Sequence, residues 1–310
     1  MSKAADADSA MVVDFEDNRD LLFGVAYRVL GSVADAEDVV QEAWLRWNRV
    51  DISQVAAPRP YLVQVATRLA LDRLRQAKAS REEYVGPWLP EPLSTAPDTE
   101  ESFELAESVS MAMLVMLETL SPLERVVFVL REAFQFSLVE IAGILGRSEP
   151  SVRQLSHRAR KHVRDGRPRF RDDRAVHTRV TERFMAACLG SDIDALLQLL
   201  APEVTLWSDA NGRPGLPRNP VRGAEKVSRL LANGIKKFTM PSATLTLDEP
   251  AKPLGGSVVD VNGGPAALIT FAGERVGLLV VDIDSTTSRV TSVWLIANQD
   301  KLRSVDSGDR

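Results

Sequence analysis

The chain has 310 residues, of which 45% are hydrophobic and 26% are charged, and its formal net charge is −5. That length predicts two or three domains, each large enough to bury a core. A single cysteine, Cys188, excludes an intrachain disulfide and a cysteine-based zinc cluster. The start of the chain is small and acidic, so we predict no signal peptide and no membrane span, and we expect a cytoplasmic protein.

The first part of the chain predicts helices behind a loose tail at residues 1–13. The first helix begins near Asp14 and ends at Gly31, and the second covers about Ala34 to Asn48. An apolar stripe along the second helix indicates core, while its opposite face is acidic toward the N-terminus. Acidic side chains there suit the helix dipole, but they also suit docking of a basic partner, and both interpretations stay open.

A third helix is predicted from Arg59 to Lys78, with basic side chains on its outward face. Arg59, Arg68 and Arg73 lie on this face, and Tyr61 lies near the helix start. Rings that stack on bases, next to cations that meet phosphates, are typical of proteins that bind single-stranded nucleic acid. The alternative is that these arginines are only solvated, as exposed arginines on helices usually are.

Residues 82–107 differ sharply from their surroundings. They hold eight acidic residues, four prolines and no lysine or arginine. This composition predicts a linker, not a packed element. The linker contains the segment Trp88-Leu89-Pro90-Glu91-Pro92. It is either a soluble spacer or an acidic strand that imitates nucleic acid inside a channel built for it.

The stretch from Ser137 to Arg171 predicts a helix-turn-helix. Ser137 and Glu140 can form a capping box for a short helix, and Gly146 supplies the positive φ angle that ends it. Ser148 caps a second, basic helix. A helix from Leu123 to Ala133 supports the pair. Two helices joined by a tight glycine turn are typical of DNA-binding proteins.

Charge supports this interpretation of the second helix. Between Arg147 and Arg171 there are nine Lys or Arg residues against two acidic ones, a local balance of +7 in an acidic chain. Such a block indicates phosphate contact, and a solvated helix face is the alternative. The residues predicted to contact DNA here are Arg147, Ser151, Arg153, Gln154, His157, Arg158 and Lys161.

The last part of the chain predicts helices followed by strands. Two helices lie within Val176 to Leu200, broken at Gly190, and a third covers Ala224 to Lys237. Turn signals at Asn262-Gly263-Gly264 and Ala272-Gly273 separate the later strands. This order predicts an α+β cone with a curved antiparallel sheet. The predicted strands are 205–207, 243–247, 257–261, 266–271, 276–282 and 290–297.

Four segments resemble the matching segments of bacterial RNA polymerase sigma factors of the extracytoplasmic-function type. The most specific are Asp35-Ala36-Glu37-Asp38-Val39-Val40-Gln41-Glu42 and Ala70-Leu71-Asp72-Arg73-Leu74-Arg75. The resemblance implies two all-α sigma domains. Residues 14–81 would be a region 2 domain that binds core RNA polymerase and opens the −10 promoter element. Residues 108–165 would be a region 4 domain that reads the −35 element through its helix-turn-helix.

The same resemblance assigns roles to the residues of the first domain. It implies that Arg59, Tyr61, Arg68 and Arg73 bind promoter DNA and that the linker threads the polymerase interior. No catalytic residue is implied. The implied polymerase-binding residues are Asp35, Asp38, Gln41, Glu42 and Trp44.

After a basic tether at residues 166–173, residues 174–305 resemble a SnoaL-like domain. A subgroup of these sigma factors carries such a domain, and Trp88 to Pro92 and Asn298 to Leu302 match its motifs. The loop after Asp209 departs from the subgroup's glycine run followed by lysine. The resemblance implies regulation in cis by this domain. The implied regulatory contacts are Trp88, Asp209, Arg213, Asp300 and Lys301.

Two other functions stay open. One is a cyclase- or isomerase-like enzyme fused to a DNA-binding segment, and the other is a ligand-sensing helix-turn-helix repressor. A repressor has no need of the acidic second helix. No spacing requires acid–base chemistry, so we predict no enzyme activity, no cofactor and no metal site, while an unidentified small ligand stays open. The residues that could line a pocket are Asp192, Trp207, Asp209, Arg222, Glu225 and Trp294.

Overall fold

The computed structural model describes residues 2–82, 84–95, 110–166, 174–239 and 254–305. The chain divides into two compact units. The first holds residues 1–82 and 113–167, and the second holds residues 83–112 and 168–310. The described part of the linker, residues 84–95, therefore clusters with the C-terminal domain. The tether from residue 167 to 173 and the predicted strand 243–247 lie outside the described residues.

The first unit begins with three helices, α1 (Ser2–Leu30), α2 (Val33–Trp47) and α3 (Pro58–Glu82). Because α1 starts at Ser2, the predicted loose tail at residues 1–13 is wrong. Apolar positions at helical spacing in α1 and α2 are buried, as the periodicity predicts. Trp47 closes this core, because its ring is fully buried and its indole nitrogen donates to the Met11 carbonyl at 2.9 Å.

Further helices complete the first unit: α4 (Met111–Leu117), α5 (Pro122–Phe128), α6 (Leu138–Leu145) and α7 (Glu149–Gly166). A π-helical turn at Val129–Ala133 follows α5. Side-chain hydrogen bonds are among the contacts that join the first three helices to the later ones. Arg125, 2% exposed, donates to the Val29 carbonyl at 2.8 Å. The Gln64 amide donates to the Gly143 carbonyl at 3.0 Å.

The second unit has the predicted α+β architecture. Its described helices are α8 (Arg174–Leu189), α9 (Ile193–Leu199), α10 (Ala224–Thr239) and α11 (Gln299–Leu302). Its described strands are β1 (Leu200–Asp209), β2 (Val221–Arg222), β3 (Leu254–Val261), β4 (Gly264–Phe271), β5 (Glu274–Ile283) and β6 (Val290–Ile296). The turns predicted after β3 and β4 are confirmed by positive φ angles at Asn262 and Ala272.

The described strands form one sheet in the order β2-β1-β6-β5-β4-β3. Neighbouring strands are antiparallel except β1 and β6, which are parallel. The prediction of an antiparallel sheet missed this pair, because strands so far apart in sequence are not bound by hairpin geometry. Helices α8, α9 and α10 cover one face, where Phe184, Leu196 and Leu206 belong to one buried cluster. Alternation along β1 puts Trp207 and Asp209 on the opposite face.

Residues 84–95 run along the C-terminal domain without forming a helix. Ser94 makes an antiparallel bridge with Val261 at the end of edge strand β3, and the Thr95 N–H donates to the Asp260 carbonyl at 3.0 Å. Leu89 is 2% exposed. The prediction of an unpacked linker is therefore wrong for this part, because an exposed strand edge offers backbone partners that composition does not reveal.

Candidate functional site

The helix-turn-helix forms as the capping signals predict. The Glu140 N–H donates to the Ser137 hydroxyl at 3.2 Å, and the Ser137 N–H donates to the Glu140 carboxylate at 2.7 Å. Hydrogen bonds from the Ser137 hydroxyl and the Ser137 N–H to the carboxylate hold the pKa of Glu140 below its usual value. Gly146 ends α6 at φ 62°, in the left-handed region that favours glycine. Local backbone geometry at the turn therefore sets the direction in which α7 leaves α6.

Helix α7 is buried on one side and basic on the other. Its core side holds Val152, Ala159 and Val163. An open recess of about 540 Å³ lies along the outer side, lined by Pro150, Arg153, Gln154 and His157. Ser151 is half-buried beside it. The other predicted DNA-contacting residues on or next to this helix, Arg147, Arg158 and Lys161, are exposed.

Several arginines of α7 form ion pairs. Arg153 pairs with Glu149 on the same helix. Arg158 Nε lies 3.2 Å from Glu124 Oε1, and Arg160 Nη2 lies 2.7 Å from Glu132 Oε1. The side chain of Arg158 is still 54% exposed. Exposed ion pairs contribute little free energy, so Arg153 and Arg160 can exchange a carboxylate for a phosphate or a base edge. The partner of Arg158 differs, because Glu124 is only 7% exposed.

The four DNA-contacting residues predicted on α3 do not share one face. The Arg68 guanidinium lies 3.9 Å from an ideal Cβ at Gly146, so it lies next to the turn of the helix-turn-helix. The Tyr61 ring packs at 5.7 Å from the Trp47 ring. Arg59 is exposed near the helix start. Arg73 Nη1, by contrast, lies 2.9 Å from Asp38 Oδ2 and 3.5 Å from Asp35 Oδ1 on α2.

The predicted polymerase-binding residues lie on the outer side of α2. Asp38 and Gln41 are exposed, and Glu42 is half-buried beside Arg46, whose Nε lies 3.0 Å from its carboxylate. We call Asp35, Asp38, Gln41 and Glu42 the α2 carboxylate surface. Trp44 does not stand free in this group, because its ring packs edge-on against the Phe15 ring at 4.9 Å.

A dense polar cluster joins the linker to the C-terminal domain. We call it the linker site: Asp209, Asn298 and Lys301 of the domain, with Tyr84, Trp88 and Leu89 of the linker. Asp209 is fully buried at the end of β1. Its carboxylate accepts hydrogen bonds from the Tyr84 hydroxyl, the Leu89 N–H at 2.8 Å and the Lys301 ammonium at 2.6 Å.

Lys301 completes the linker site from the other side. Its ammonium also donates to the Leu89 carbonyl and lies 4.1 Å from the centre of the Trp88 ring, in cation–π contact. The Asn298 amide donates to the Tyr84 hydroxyl at 3.1 Å. Burial, followed by the hydrogen bond to Asp209, raises the pKa of Tyr84 above its usual range. The linker is therefore recognised through both its backbone and its side chains.

The other predicted regulatory contacts have different surroundings. Arg213 follows a tight turn with positive φ angles at Asn211 and Gly212, and a Cβ at Gly212 would lie 3.5 Å from Val85 of the linker. Asp300 is exposed and pairs with Arg303 at 3.1 Å. Sequence reasoning missed Tyr84, Leu89 and Asn298 as individual contacts. Only the motif segments around Leu89 and Asn298 pointed to this region.

The residues predicted to line a pocket do not converge. Asp192 caps α9 by accepting from the Ala195 N–H at 2.9 Å. Glu225 is exposed and pairs with Arg229, and Arg222 is exposed on β2. Trp207 and Trp294 stack with ring centres 6.1 Å apart on the sheet face opposite α8 to α10. Asp209 is fully engaged by the linker and Lys301, an arrangement that does not suit a general base.

Within the described residues, no cluster of three or more histidine, cysteine, aspartate or glutamate side chains is placed to bind a metal ion. Among the same residues, no helix has both the length and the apolarity to cross a membrane.

The sequences of the two helical domains match known protein families. "Sigma-70 region 2" matches residues 15–80, and "Sigma-70, region 4" matches residues 110–163. The chain is thus a sigma-70-type protein.

Similarity over nearly the whole chain narrows this class. The chain is 39% identical over 302 residues to the ECF RNA polymerase sigma factor SigJ of Mycobacterium tuberculosis H37Rv, covering 94% of this chain and 93% of SigJ. It is 32% identical to the probable ECF sigma factor SigI of the same species, covering 92% of each chain. The crystal structure of SigJ matches with a TM-score of 0.72 over 95% of this chain and 99% of SigJ. The chain belongs to the extracytoplasmic-function (ECF) RNA polymerase sigma factors, which direct transcription initiation.

Proposed function

We propose that this sigma factor binds core RNA polymerase and promoter DNA through its first unit, and that its C-terminal domain regulates it in cis by holding the linker. The linker site carries this proposal. A buried carboxylate, a buried ammonium and an amide of the domain all converge on Tyr84, Trp88 and Leu89. Such a cluster is satisfied only when the linker is docked, so it is specific for this segment.

The regulatory consequence follows from competition. Resemblance to sigma factors implies that the linker threads the polymerase interior, and one segment cannot thread the polymerase and dock at the linker site together. Binding of polymerase must therefore release Leu89 and its neighbours. The domain shifts the balance between docked and released linker and so lowers the apparent affinity for polymerase. Covalent connection keeps the local concentration of the domain high.

The α2 carboxylate surface is the proposed polymerase contact. Asp38 and Gln41 lie one turn apart on an exposed face, which suits a basic groove on a partner. Reversing Asp38 and Glu42 together to lysine should abolish co-purification with core polymerase. Reversing Asp194 and Glu203 together, both exposed acidic residues of the C-terminal domain, is the charge-matched control. Normal co-purification of the Asp38/Glu42 variant would exclude this surface.

Helix α7 is the proposed reader of the −35 element, and Arg59 and Arg68 of α3 are proposed to contact the −10 element. The recess along Arg153, Gln154 and His157 faces outward, as a major-groove helix requires. An enzyme in the C-terminal domain is less well supported, because Asp209 is held by three donors. A small ligand that releases the linker stays compatible with this proposal.

The test is reconstituted transcription with core polymerase and linker-side variants of the full chain. Trp88→Ala removes the ring above Lys301 and should raise the apparent polymerase affinity about threefold to tenfold, because a cation–π contact in a partly desolvated site is worth about 1 kcal/mol. Tyr84→Phe should act in the same direction. Asp300→Ala, an exposed acidic residue next to the site, is the control and should change nothing.

Hydrogen exchange reports docking directly. The Leu89 N–H donates to the buried Asp209 carboxylate, so it should exchange slowly in the free protein. Addition of core polymerase should remove that protection. If Leu89 stays protected in an actively transcribing complex, the linker does not leave its site and the competition mechanism is wrong.

A further inference from the structure

Arg73 separates from the other basic residues of α3, and its position carries a new inference. Gln64 donates to the Gly143 carbonyl, so its side of α3 faces α6. Arg73 lies nine positions further along the helix, roughly 180° around the axis from Gln64. Its guanidinium contacts Asp38 and Asp35 instead. The basic residues of α3 therefore serve two different surfaces.

The geometry of the ion pair shows which partner faces outward. Arg73 Nη1 lies 2.9 Å from Asp38 and 3.5 Å from Asp35. The Arg73 side chain is 33% exposed, whereas the Asp38 side chain is 58% exposed. The Arg73 guanidinium thus lies between α2 and α3, and the Asp38 carboxylate lies nearer the solvent. One guanidinium nitrogen therefore contacts both Asp35 and Asp38 of α2.

We propose that Arg73 is a positioning residue of the polymerase-binding surface and does not contact promoter DNA. This inference rests on the proposed role of the α2 carboxylate surface. An exposed carboxylate has several side-chain conformations and loses that freedom when a partner binds it. Arg73 restricts Asp38 and Asp35 before the polymerase arrives, so less conformational entropy is lost on binding.

The other carboxylates of α2 are also paired with arginines. Glu37 pairs with Arg19 of α1 at 3.0 Å, and Glu42 pairs with Arg46 at 3.0 Å. Surface pairs of this kind add little to folding stability. Their shared placement along a single helix indicates that they order the acidic side chains. Arg19 also contacts Asp20 of its own helix at 4.0 Å, so among these described pairs Arg73 alone contacts two carboxylates of α2.

The matched control for Arg73 is Arg75. Both are on α3, but Arg75 pairs with Asp72 of its own helix at 3.2 Å. The experiment measures core polymerase affinity of the full chain by fluorescence titration at several salt concentrations. Arg73→Ala should weaken binding about three- to fivefold, the upper range for a partly exposed ion pair. Arg75→Ala should bind as the wild type does, and Arg73→Lys should restore part of the loss.

A double-mutant cycle distinguishes positioning from a general structural effect. Asp38→Asn should weaken polymerase binding, and adding Arg73→Ala should weaken it by less than Arg73→Ala does in the wild-type chain, because only the contact with Asp35 is then left to lose. With polymerase in excess, Arg73→Ala should keep the wild-type preference at the −10 element. Thermal melting of each variant checks that the fold survives.

Three results would overturn the inference. One is wild-type or tighter polymerase binding by Arg73→Ala. Another is additive loss in the cycle with Asp38→Asn. The last is a changed −10 preference at saturating polymerase, which would return Arg73 to the DNA-binding set. If Asp38→Asn binds polymerase normally, the α2 carboxylate surface is not the polymerase contact and this inference is wrong with it. If Asp38→Asn weakens binding but Arg73→Ala does not, the surface is still the polymerase contact and only the role of Arg73 is wrong.

Discussion

The linker site and helix α7 both bring opposite charges together, but they do so in different surroundings. Asp209 is fully buried, and Lys301 is 8% exposed. On α7 the side chains of Arg153 and Arg160 are 69% and 50% exposed, and their partners are at least 37% exposed. Charges that are taken out of water depend on each partner being present. Charges at the surface exchange partners at little cost.

This difference assigns the two regions to different tasks. A buried cluster is satisfied by one arrangement and so suits the recognition of one segment of the same chain. A surface of exchangeable arginines suits a ligand that comes and goes, such as a phosphate backbone whose binding depends on salt. The predictions below test this contrast, beginning with the site where removal of one partner should matter most.

Lys301→Met should be the most destabilising of these changes. It leaves the Asp209 carboxylate buried without its cation, which costs about 3–5 kcal/mol of unfolding free energy. Urea denaturation of the full chain, followed by the signal of the C-terminal domain, measures the loss. Asp300→Ala removes an exposed carboxylate one residue away and should change stability by less than about 0.5 kcal/mol. Equal effects of the two variants would contradict the contrast.

Arg125 extends the contrast to a buried cation in the first unit. It donates to the Val29 carbonyl and pairs with Glu118 at 2.7 Å. Arg125→Met should cost about 2–4 kcal/mol, because a buried carbonyl and a carboxylate lose their donor. Arg160→Met, which breaks an exposed pair with Glu132, is the control from the same half of the unit. A small effect for Arg125 would show that burial is not what separates the two classes.

The helix-turn-helix could be predicted from sequence because its signals are local. Ser137, Glu140 and Gly146 lie within ten residues, and their hydrogen bonds involve neighbours three or four positions apart. The outer side of α7 follows from periodicity in the same way. The α+β order of the last domain was also predictable, since helices and strands keep their own periods.

The linker site could not be derived in this way. Tyr84 and Asp209 are separated by 125 positions, and Leu89 and Lys301 by 212. The composition of residues 82–107 predicts an acidic, proline-rich spacer. No local sequence signal shows that Ser94 pairs with the edge of β3. Motif resemblance pointed to Trp88 and Lys301 but not to their contact. The contact of Arg73 with α2 could not be predicted for a related reason, because periodicity gives a helix face without identifying the neighbouring helix.

On α7, the contrast predicts a change in specificity. Arg158→Ala should lower discrimination at the −35 element by about 1–3 kcal/mol, the range for a base contact. Lys161→Ala should weaken binding to all sequences alike and reduce the salt dependence by about one phosphate contact. Competition binding with polymerase-bound protein measures both. Uniform losses for the two variants would remove Arg158 from the groove.

The smallest expected effect is the pH dependence of the stability that Tyr84 contributes at the linker site. Burial and the hydrogen bond to Asp209 raise its pKa. A group whose pKa is raised on folding contributes stability that is complete below its unfolded pKa, about 10 for tyrosine. That stability is lost as the pH rises through the folded value.

The difference in unfolding free energy between wild type and Tyr84→Phe, about 1 kcal/mol, should therefore stay constant from pH 6 to pH 9. It should shrink only above pH 10, because deprotonation removes the donor to Asp209 and sets two anions side by side. Urea denaturation at each pH measures it, and a difference that already falls between pH 6 and pH 9 would show that another group of the site titrates there.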